Sequence, residues 1–413
     1  MRSDVLAFDT SAPAARPGPA PRRISIFGAT GSIGESTVDL VLRAGGPAAY
    51  HTVAVTGARN IARLAEIAIA LRAEVAVTAD PAGLAALRAA LAGTGIEAAA
   101  GEAALVEAAC RPADWIMSGI VGFAGLAPGL AALAQGTTLA LANKESLVTA
   151  GPLLLETAAR HGARILPVDS EHSAVFQALV GEEMTAVERV IITASGGAFR
   201  DWPLDRLAGA SVAEASSHPN WDMGQRITID SASMFNKALE VIETREYFGF
   251  EPAQIEVLVH PESMVHALVG FRDGALMAHL GAPDMRHAIG YALNWPDRAD
   301  LPVARLDLAA IGRLSFAAPD PARYPALALA REVMAIRGAA GAVFNAAKEA
   351  ALDGFIEGRV RFTGMATVVE RVLARMSAGS GLGNVAFSLD NLSEADREAR
   401  ALAREEIAAR ADV

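Results

Sequence analysis

A chain of 413 residues exceeds the size at which one hydrophobic core keeps growing, so two or three domains are expected. With 52% hydrophobic and 20% charged residues it is too apolar to be mainly disordered. Its 36 Lys+Arg against 47 Asp+Glu give a formal net charge of −11, which excludes a general nucleic-acid binder that works by neutralising phosphates but leaves room for local basic pockets. Residues 1–21 mix Arg2, Asp4, Asp9 and Arg16 with Ala and Pro and contain no apolar run, so they read as a disordered tail rather than a secretory signal. Cys110 is the only cysteine, which excludes a disulfide framework and a thiolate zinc cluster and suits a reducing cytoplasm.

From residue 22 short apolar runs alternate with Ala-rich helical stretches. Ile24–Phe27, His51–Val55, Glu74–Thr78, Trp115–Ile120, Thr138–Ala142 and Arg164–Val168 read as strands, with helical spacing over Ile61–Leu71 and Pro81–Leu91. This alternation predicts an N-terminal Rossmann-like, doubly wound sheet over residues 22–169. Trp115 to Asn143 carries no charge but is broken by glycines and Pro128, so it reads as buried strand, helix and strand rather than a membrane span. Val187–Thr193, Ile255–His260, Met264–Phe271 and Ala275–Leu280 predict a central α/β domain with antiparallel strands over 170–300, with a hairpin turn at Arg272-Asp273-Gly274. A Pro-dotted linker over 301–319 leads to a C-terminal helical domain, 320–413.

Gly28-Ala29-Thr30-Gly31-Ser32-Ile33-Gly34 follows the first strand and opens a helix, the place where glycines and a helix N-terminus receive a pyrophosphate. The spacing is GxxGxxG, a variant fingerprint, and a mere tight turn is the plain alternative. After the second strand comes Thr56-Gly57-Ala58-Arg59-Asn60, with Arg59 where an NAD site commonly carries an acid. An arginine there suits a 2′-phosphate, although it could also be simply solvated; with the glycine turn it favours NADPH.

Asp169-Ser170-Glu171 ends the strand Arg164–Val168. On extended backbone its two carboxylates would face one side and converge on a hard ion, Mg²⁺ or Mn²⁺. Taken alone, a capping Asp with a solvated Glu is the commoner case. Asn143-Lys144-Glu145 stands at another ligand edge, where Lys144 can neutralise charge developing on a substrate oxygen. Ser195-Gly196-Gly197 offers a hydroxyl and backbone N–H groups to a phosphate. The stretch from His218 to Gly224 reads as a mobile loop whose Trp221 can cover a ligand. Asp230-Ser231 is expected to lead into a helix with Asn236 and Glu240 on one face and Lys237 one turn from Glu240. A helix-surface Lys–Glu pair is the bland reading of that segment.

GATGSIG from Gly28, LANKES from Leu141, PVDSEHSAVFQ from Pro167, TASGGAF from Thr193 and HPNWDMGQRITIDSASMFNKALEVIE from His218, in this order, closely resemble the 1-deoxy-D-xylulose 5-phosphate reductoisomerase family of non-mevalonate isoprenoid biosynthesis. The departures are small: Arg226 where a lysine is common and Ala238 where a glycine is common. The resemblance implies that Asp169, Glu171 and Glu240 hold the metal. It implies a phosphate site of Ser195, Ser231, Asn236 and Lys237 with His218 nearby, and contacts from Ser170 and Lys144 to the substrate's oxygen-bearing carbons. Lys144, Asp169, Glu171, Glu240 and His218 would be the catalytic set, with Trp221, and Met285 near it, over the substrate. Thr30, Gly31, Ser32, Ile33, Ala58, Arg59, Asn60, Asn143, Glu145 and Gly224 would line NADPH.

The implied reaction rearranges a ketose phosphate, by retro-aldol cleavage and re-addition, then reduces the resulting aldehyde. The implied assembly is a homodimer paired through Met264–Phe271 and Ala275–Leu280, without nucleic-acid or membrane partners. Two rivals remain open in the residues: a metal-independent NADP-dependent dehydrogenase of the homoserine or aspartate-semialdehyde type, and a non-catalytic NADP-binding regulator. The first gives no reason for Asp169, Glu171 and Glu240; the second none for Lys144, Ser231 and Asn236.

Overall fold

A computed structural model describes residues 21–218, 220, 221 and 223–409. The N-terminal tail apart from Pro21, Pro219 and Asp222 of the segment expected to cover a ligand, and residues 410–413 lie outside it. The chain divides into two compact units. The first takes the described residues up to Ser146, Leu154–Phe176 and Asp284–Ala304; the second takes Leu147–Leu153, Gln177–Pro283 and the described residues from Arg305 onward.

In the first unit, strands β1 (Arg22–Phe27), β2 (Tyr50–Gly57), β3 (Val75–Thr78), β4 (Glu97–Ala100), β5 (Trp115–Ser118), β6 (Thr138–Leu141) and β7 (Arg164–Pro167) form one parallel sheet in the order β4-β3-β2-β1-β5-β6-β7. Between them run α1 (Ser32–Arg43), α2 (Ile61–Leu71), α3 (Leu84–Ala90), α4 (Glu102–Cys110), α5 (Leu126–Ala134) and α6 (Lys144–His161), and α7 (Ser170–Ala178) follows β7. Ile24, Ser25, Ile26 and Phe27 are all buried, as expected of a parallel strand covered on both faces. The order reverses between β1 and β5, and in such sheets the ligand crevice opens at the strand C-termini there. The uncharged run from Trp115 is β5, α5 and β6, as its composition implied. Strand β5 stops at Ser118, two residues short of expectation. Strand β4 was not expected, since Glu97-Ala98-Ala99-Ala100 favours helix; pairing with β3 overrides that preference.

The second unit contains β8 (Val187–Ala194), α8 (Val212–Ala215), α9 (Gln225–Ala232), α10 (Phe235–Phe248), β9 (Ile255–Val259), β10 (Val265–Phe271) and β11 (Leu276–Leu280). Its sheet runs β11-β10-β8-β9, with β10 antiparallel to both neighbours and β9 parallel to β8. The Arg272-Asp273-Gly274 turn joins β10 to β11, with the Ala275 N–H donating to Asp273 Oδ1 at 2.9 Å. Helix α11 (Arg286–Asn294) belongs to the first unit, where the Trp115 indole N–H donates to Ala292 O at 3.0 Å. After α12 (Leu308–Ile311) come α13 (Pro325–Ile336), α14 (Ala340–Ile356), α15 (Gly364–Ser380) and α16 (Leu389–Ala408), the helical region expected from about residue 320. Val343, Phe344, Ala347 and Ala351 of α14 are buried, as are Val368 and Val372 of α15 and Leu392, Ala399 and Ala403 of α16.

Candidate active site

The glycine turn after β1 is dictated by sterics. Gly28 has φ +80°, and a Cβ on it would lie 2.4 Å from Gly119 O; one on Gly34 would lie 2.2 Å from Gly28 O. The Gly28 N–H donates to Thr56 Oγ1 at 2.9 Å and the Ala29 N–H to Thr56 O at 2.7 Å, fastening the turn to the end of β2. Thr30 and Ile33 are half-buried. Gly31 and Ser32 are exposed, and α1 starts without a side-chain cap, so its first N–H groups suit an anion.

Ala58, Arg59 and Asn60 are exposed beyond β2, and Asn60 caps α2 by accepting the Arg63 N–H at 3.2 Å. The nearby Arg63 is already engaged: Nε and Nη2 donate to the two Glu35 oxygens at 2.7 Å each, and Nη1 to Glu66 at 2.9 Å. Those hydrogen bonds, to Glu35 first and then Glu66, raise its pKa. Among the described residues the Arg59 guanidinium has no hydrogen bond or ion pair, which leaves its planar fork free.

Asn143 caps α6, its Oδ1 accepting the Ser146 N–H at 2.7 Å, while Nδ2 donates to Gly122 O at 2.8 Å and to Ile120 O. The carboxamide therefore ties β6 to the loop after β5. Lys144 and Glu145, both half-buried, begin the helix. Lys144 Nζ lies 2.9 Å from Asp169 Oδ2, with both side chains mostly buried. Asp169 Oδ1 accepts the Glu171 N–H at 3.1 Å, and the ring of fully buried His172 approaches the same oxygen at 3.4 Å.

This corrects the expected geometry of the Asp169/Glu171 pair. Ser170 already opens α7, so the two carboxylates share a helix N-terminus rather than one face of extended chain. Asp169 does cap, as the bland reading had it, yet an oxygen of Asp169 and one of Glu171 lie within 4.8 Å of each other. Ser170 Oγ donates to Glu171 Oε2 at 2.5 Å. Met285 stands at the start of α11.

In the second unit Gly197, at φ +67°, presses the loop after β8 against the end of α9. A Cβ there would lie 2.5 Å from Ala232 Cα and 2.8 Å from Ser231 O, so Ser195 and Ser231 lie on adjoining segments. Ser195 Oγ accepts the Gly197 N–H at 3.1 Å and lies 2.9 Å from His218 Nε2. His218 Nδ1 accepts the Trp221 N–H at 2.9 Å and the Asn220 N–H at 3.1 Å, so its proton sits on Nε2 and points at Ser195. The serine oxygen thus receives two donors, and its own hydrogen is left to donate elsewhere. Trp221 is half-buried, its ring centroid 6.2 Å from that of His266, and Gly224 is the N-cap of α9.

Asp230 and Ser231 end α9 rather than leading into the next helix, a second correction. The chain breaks at Met234, which has φ +61°, and α10 starts afresh with Asn236 and Lys237 in its first turn. Asn236 Nδ2 donates to Glu240 Oε1 at 2.6 Å, and Lys237 Nζ donates to Glu240 Oε2. Lys237 and Glu240 are 3% and 1% exposed, which removes the surface-pair reading. Lys237 and Glu240 therefore form a buried, paired couple, an arrangement that recurs at functional sites.

The profile described as 1-deoxy-D-xylulose 5-phosphate reductoisomerase matches residues 24–151, and the two profiles of its C-terminal domains match 165–248 and 280–402. The reductoisomerase of Ruegeria pomeroyi is 73% identical over 379 residues, spanning 92% of this chain and 95% of its own. The chain belongs to the 1-deoxy-D-xylulose 5-phosphate reductoisomerase family. The Jannaschia reductoisomerase is 67% identical over 392 residues, 95% of this chain and 99% of its own. The solved Zymomonas mobilis reductoisomerase, in complex with NADPH, superposes with TM-score 0.87 at 43% identity over 94% of this chain and 98% of its own. A reductoisomerase in complex with NADPH, fosmidomycin and magnesium gives TM-score 0.88 at 37% identity, again over 94% and 98%. These likenesses bear out the α/β fold with its Rossmann-like sheet and helical C-terminal region. Among the described residues no helix is long and apolar enough to cross a membrane.

Sequence reasoning missed several supports of the candidate site. Thr56 anchors the glycine turn, Glu35 occupies Arg63, and Tyr324 donates from its hydroxyl to Gly196 O at 3.0 Å. Burial pushes the Tyr324 pKa up to about 12, keeping it a neutral donor. Only Glu35 carried a signal, its place in the first turn after the glycines.

Proposed function

We propose that this chain converts 1-deoxy-D-xylulose 5-phosphate to 2-C-methyl-D-erythritol 4-phosphate, by skeletal rearrangement followed by hydride transfer, using NADPH and Mg²⁺ or Mn²⁺. The 73% identity across 92% of the chain carries this reading, since fold alone would not fix function.

The residues fit both bound groups. A tight turn in which a Cβ at Gly28 or Gly34 would collide with backbone, an uncapped α1 N-terminus and the free fork of Arg59 suit a pyrophosphate and a 2′-phosphate. We assign NADPH to Thr30, Gly31, Ser32, Ile33, Ala58, Arg59, Asn60, Glu145, Gly224 and, with its carboxamide already employed, the backbone of Asn143. Asp169, Glu171 and Glu240 offer oxygen donors and no thiolate, the chemistry of a hard divalent ion. When bound, the ion supplies Lewis-acid polarisation of adjacent substrate oxygens and NADPH supplies the hydride.

The chain's own groups position and shield. Lys144 orients Asp169 and offers its ammonium to charge developing on a substrate oxygen. Ser170 contacts the substrate backbone. Ser195 donates its free hydroxyl hydrogen to the phosphate, His218 fixes that hydroxyl, and Ser231, Asn236 and Lys237 complete the cradle beside the α10 N-terminus. Trp221 covers the bound sugar and excludes water between the two steps.

We further assign a homodimer through β11, an edge strand on which Leu276, Met277 and Leu280 are 50%, 38% and 37% exposed. Sedimentation at micromolar concentration should give twice the chain mass, and a monomer alone refutes it. A cytoplasmic location, checked by cell fractionation, rests on the single unpaired Cys110.

The decisive experiment follows NADPH oxidation with 1-deoxy-D-xylulose 5-phosphate, with and without a chelator. Turnover that stops on chelation and returns with Mg²⁺ or Mn²⁺ is expected. Chelator-insensitive turnover would restore the metal-independent dehydrogenase, and NADPH binding without turnover would restore the regulator.

A further inference from the structure

Helix α9, which presents Ser231, carries one acidic residue, Asp230, immediately before it. Asp230 is 7% exposed, and Lys348 of α14, 118 residues further on and 3% exposed, donates from Nζ to Asp230 Oδ2 at 2.9 Å. Asp230 Oδ1 has no hydrogen-bond partner among the described residues, and the ammonium of Lys348 is a cation paired with this carboxylate. The same helix pair is joined by an ion pair between Arg226 and Asp353.

The surroundings hold the α9–α10 break in place. Met234, in the left-handed region, is packed with Ala194, Val259 and Tyr324, and Tyr324 bonds the loop that carries Ser195. A carboxylate next to an anion site opposes the ligand unless it is neutralised, and in low dielectric that opposition is strong. We infer that Lys348 is an electrostatic positioning residue: by neutralising Asp230 it lets the end of α9 accept a phosphate at Ser231. This rests on the phosphate site proposed above, and it gives the C-terminal helical region a part in substrate affinity.

The test compares two variants whose charge effects oppose. Lys348→Met leaves Asp230 uncompensated and should raise the KM for substrate and the inhibition constant of inorganic phosphate by about tenfold. Its kcat should stay within about twofold and its NADPH affinity should not change. Asp230→Asn leaves the cation and should keep or tighten phosphate affinity. A purely steric anchor would weaken both variants alike, and that result, or an unchanged Lys348→Met, overturns the inference. If Lys348→Met does not fold, a tenfold loss of phosphate affinity in Asp230→Asn alone overturns it equally. Ser231→Ala and Lys237→Ala are measured alongside. If these too leave phosphate affinity intact, the phosphate site itself is misplaced; if only they weaken it, the fault lies with Lys348.

Discussion

Nε2 of His218 lies 2.9 Å from Oγ of Ser195, while Nδ1 of the same ring accepts two backbone N–H groups from its own loop. A proton added at Nδ1 would face those donors, and burial pushes the His218 pKa from its ordinary 6.5 down to about 4. The folded value is depressed, so the stability this ring contributes is complete above pH 6.5 and is lost as pH falls toward 4. Nitrogen-detected NMR of the labelled histidine should show a neutral ring with its hydrogen on Nε2 at pH 6. A charged imidazolium at that pH would refute the assignment.

Glu240→Gln should lower turnover by at least about a hundredfold while NADPH affinity stays within about twofold. The exchange removes one of the three carboxylates proposed for the cation and strands Lys237, which is buried with Glu240. Metal titration of activity should shift to higher concentration. Wild-type turnover at limiting metal would end the role given to Glu240.

Arg59→Glu should cut kcat/KM for NADPH by at least about tenfold and leave NADH use unchanged or improved, since a charge-assisted contact with phosphate is worth about 1.5–3 kcal/mol. Arg63→Ala should leave the preference alone, because that guanidinium already serves Glu35 and Glu66. A swap of these two outcomes would make Arg63 the reader of the 2′-phosphate.

Trp221→Ala should raise KM and lower kcat with little change in melting temperature, because its ring is half-exposed on a loop. A fall of many degrees with unaltered kinetics would make the indole a packing residue.

Six of the parallel strands were legible because each is a short apolar run bounded by turns, and the glycine turn because Gly28 and Gly34 admit no side chain. Edge strand β4 was hidden in Glu97-Ala98-Ala99-Ala100, whose local preference points elsewhere. Asp169 and Glu171 were read as a pair, but the wrong backbone was drawn through them, since Val168 ends its run without announcing that Ser170 starts a helix. The break at Met234 has no glycine or proline to mark it. Lys348 could not be found at all, being joined to Asp230 only by tertiary packing.

Helix α11 also sets an order of events during synthesis. It packs on α1, β6 and β7, and Ala292 receives the Trp115 indole, yet it is translated after the whole central sheet of the second unit. The ribosome therefore releases β7 on the order of ten seconds before the helix that covers its neighbours. Until then an apolar flank of the first unit stays open to water, to chaperones and to other nascent chains. A nonsense codon anywhere before residue 286 would leave that flank bare for good.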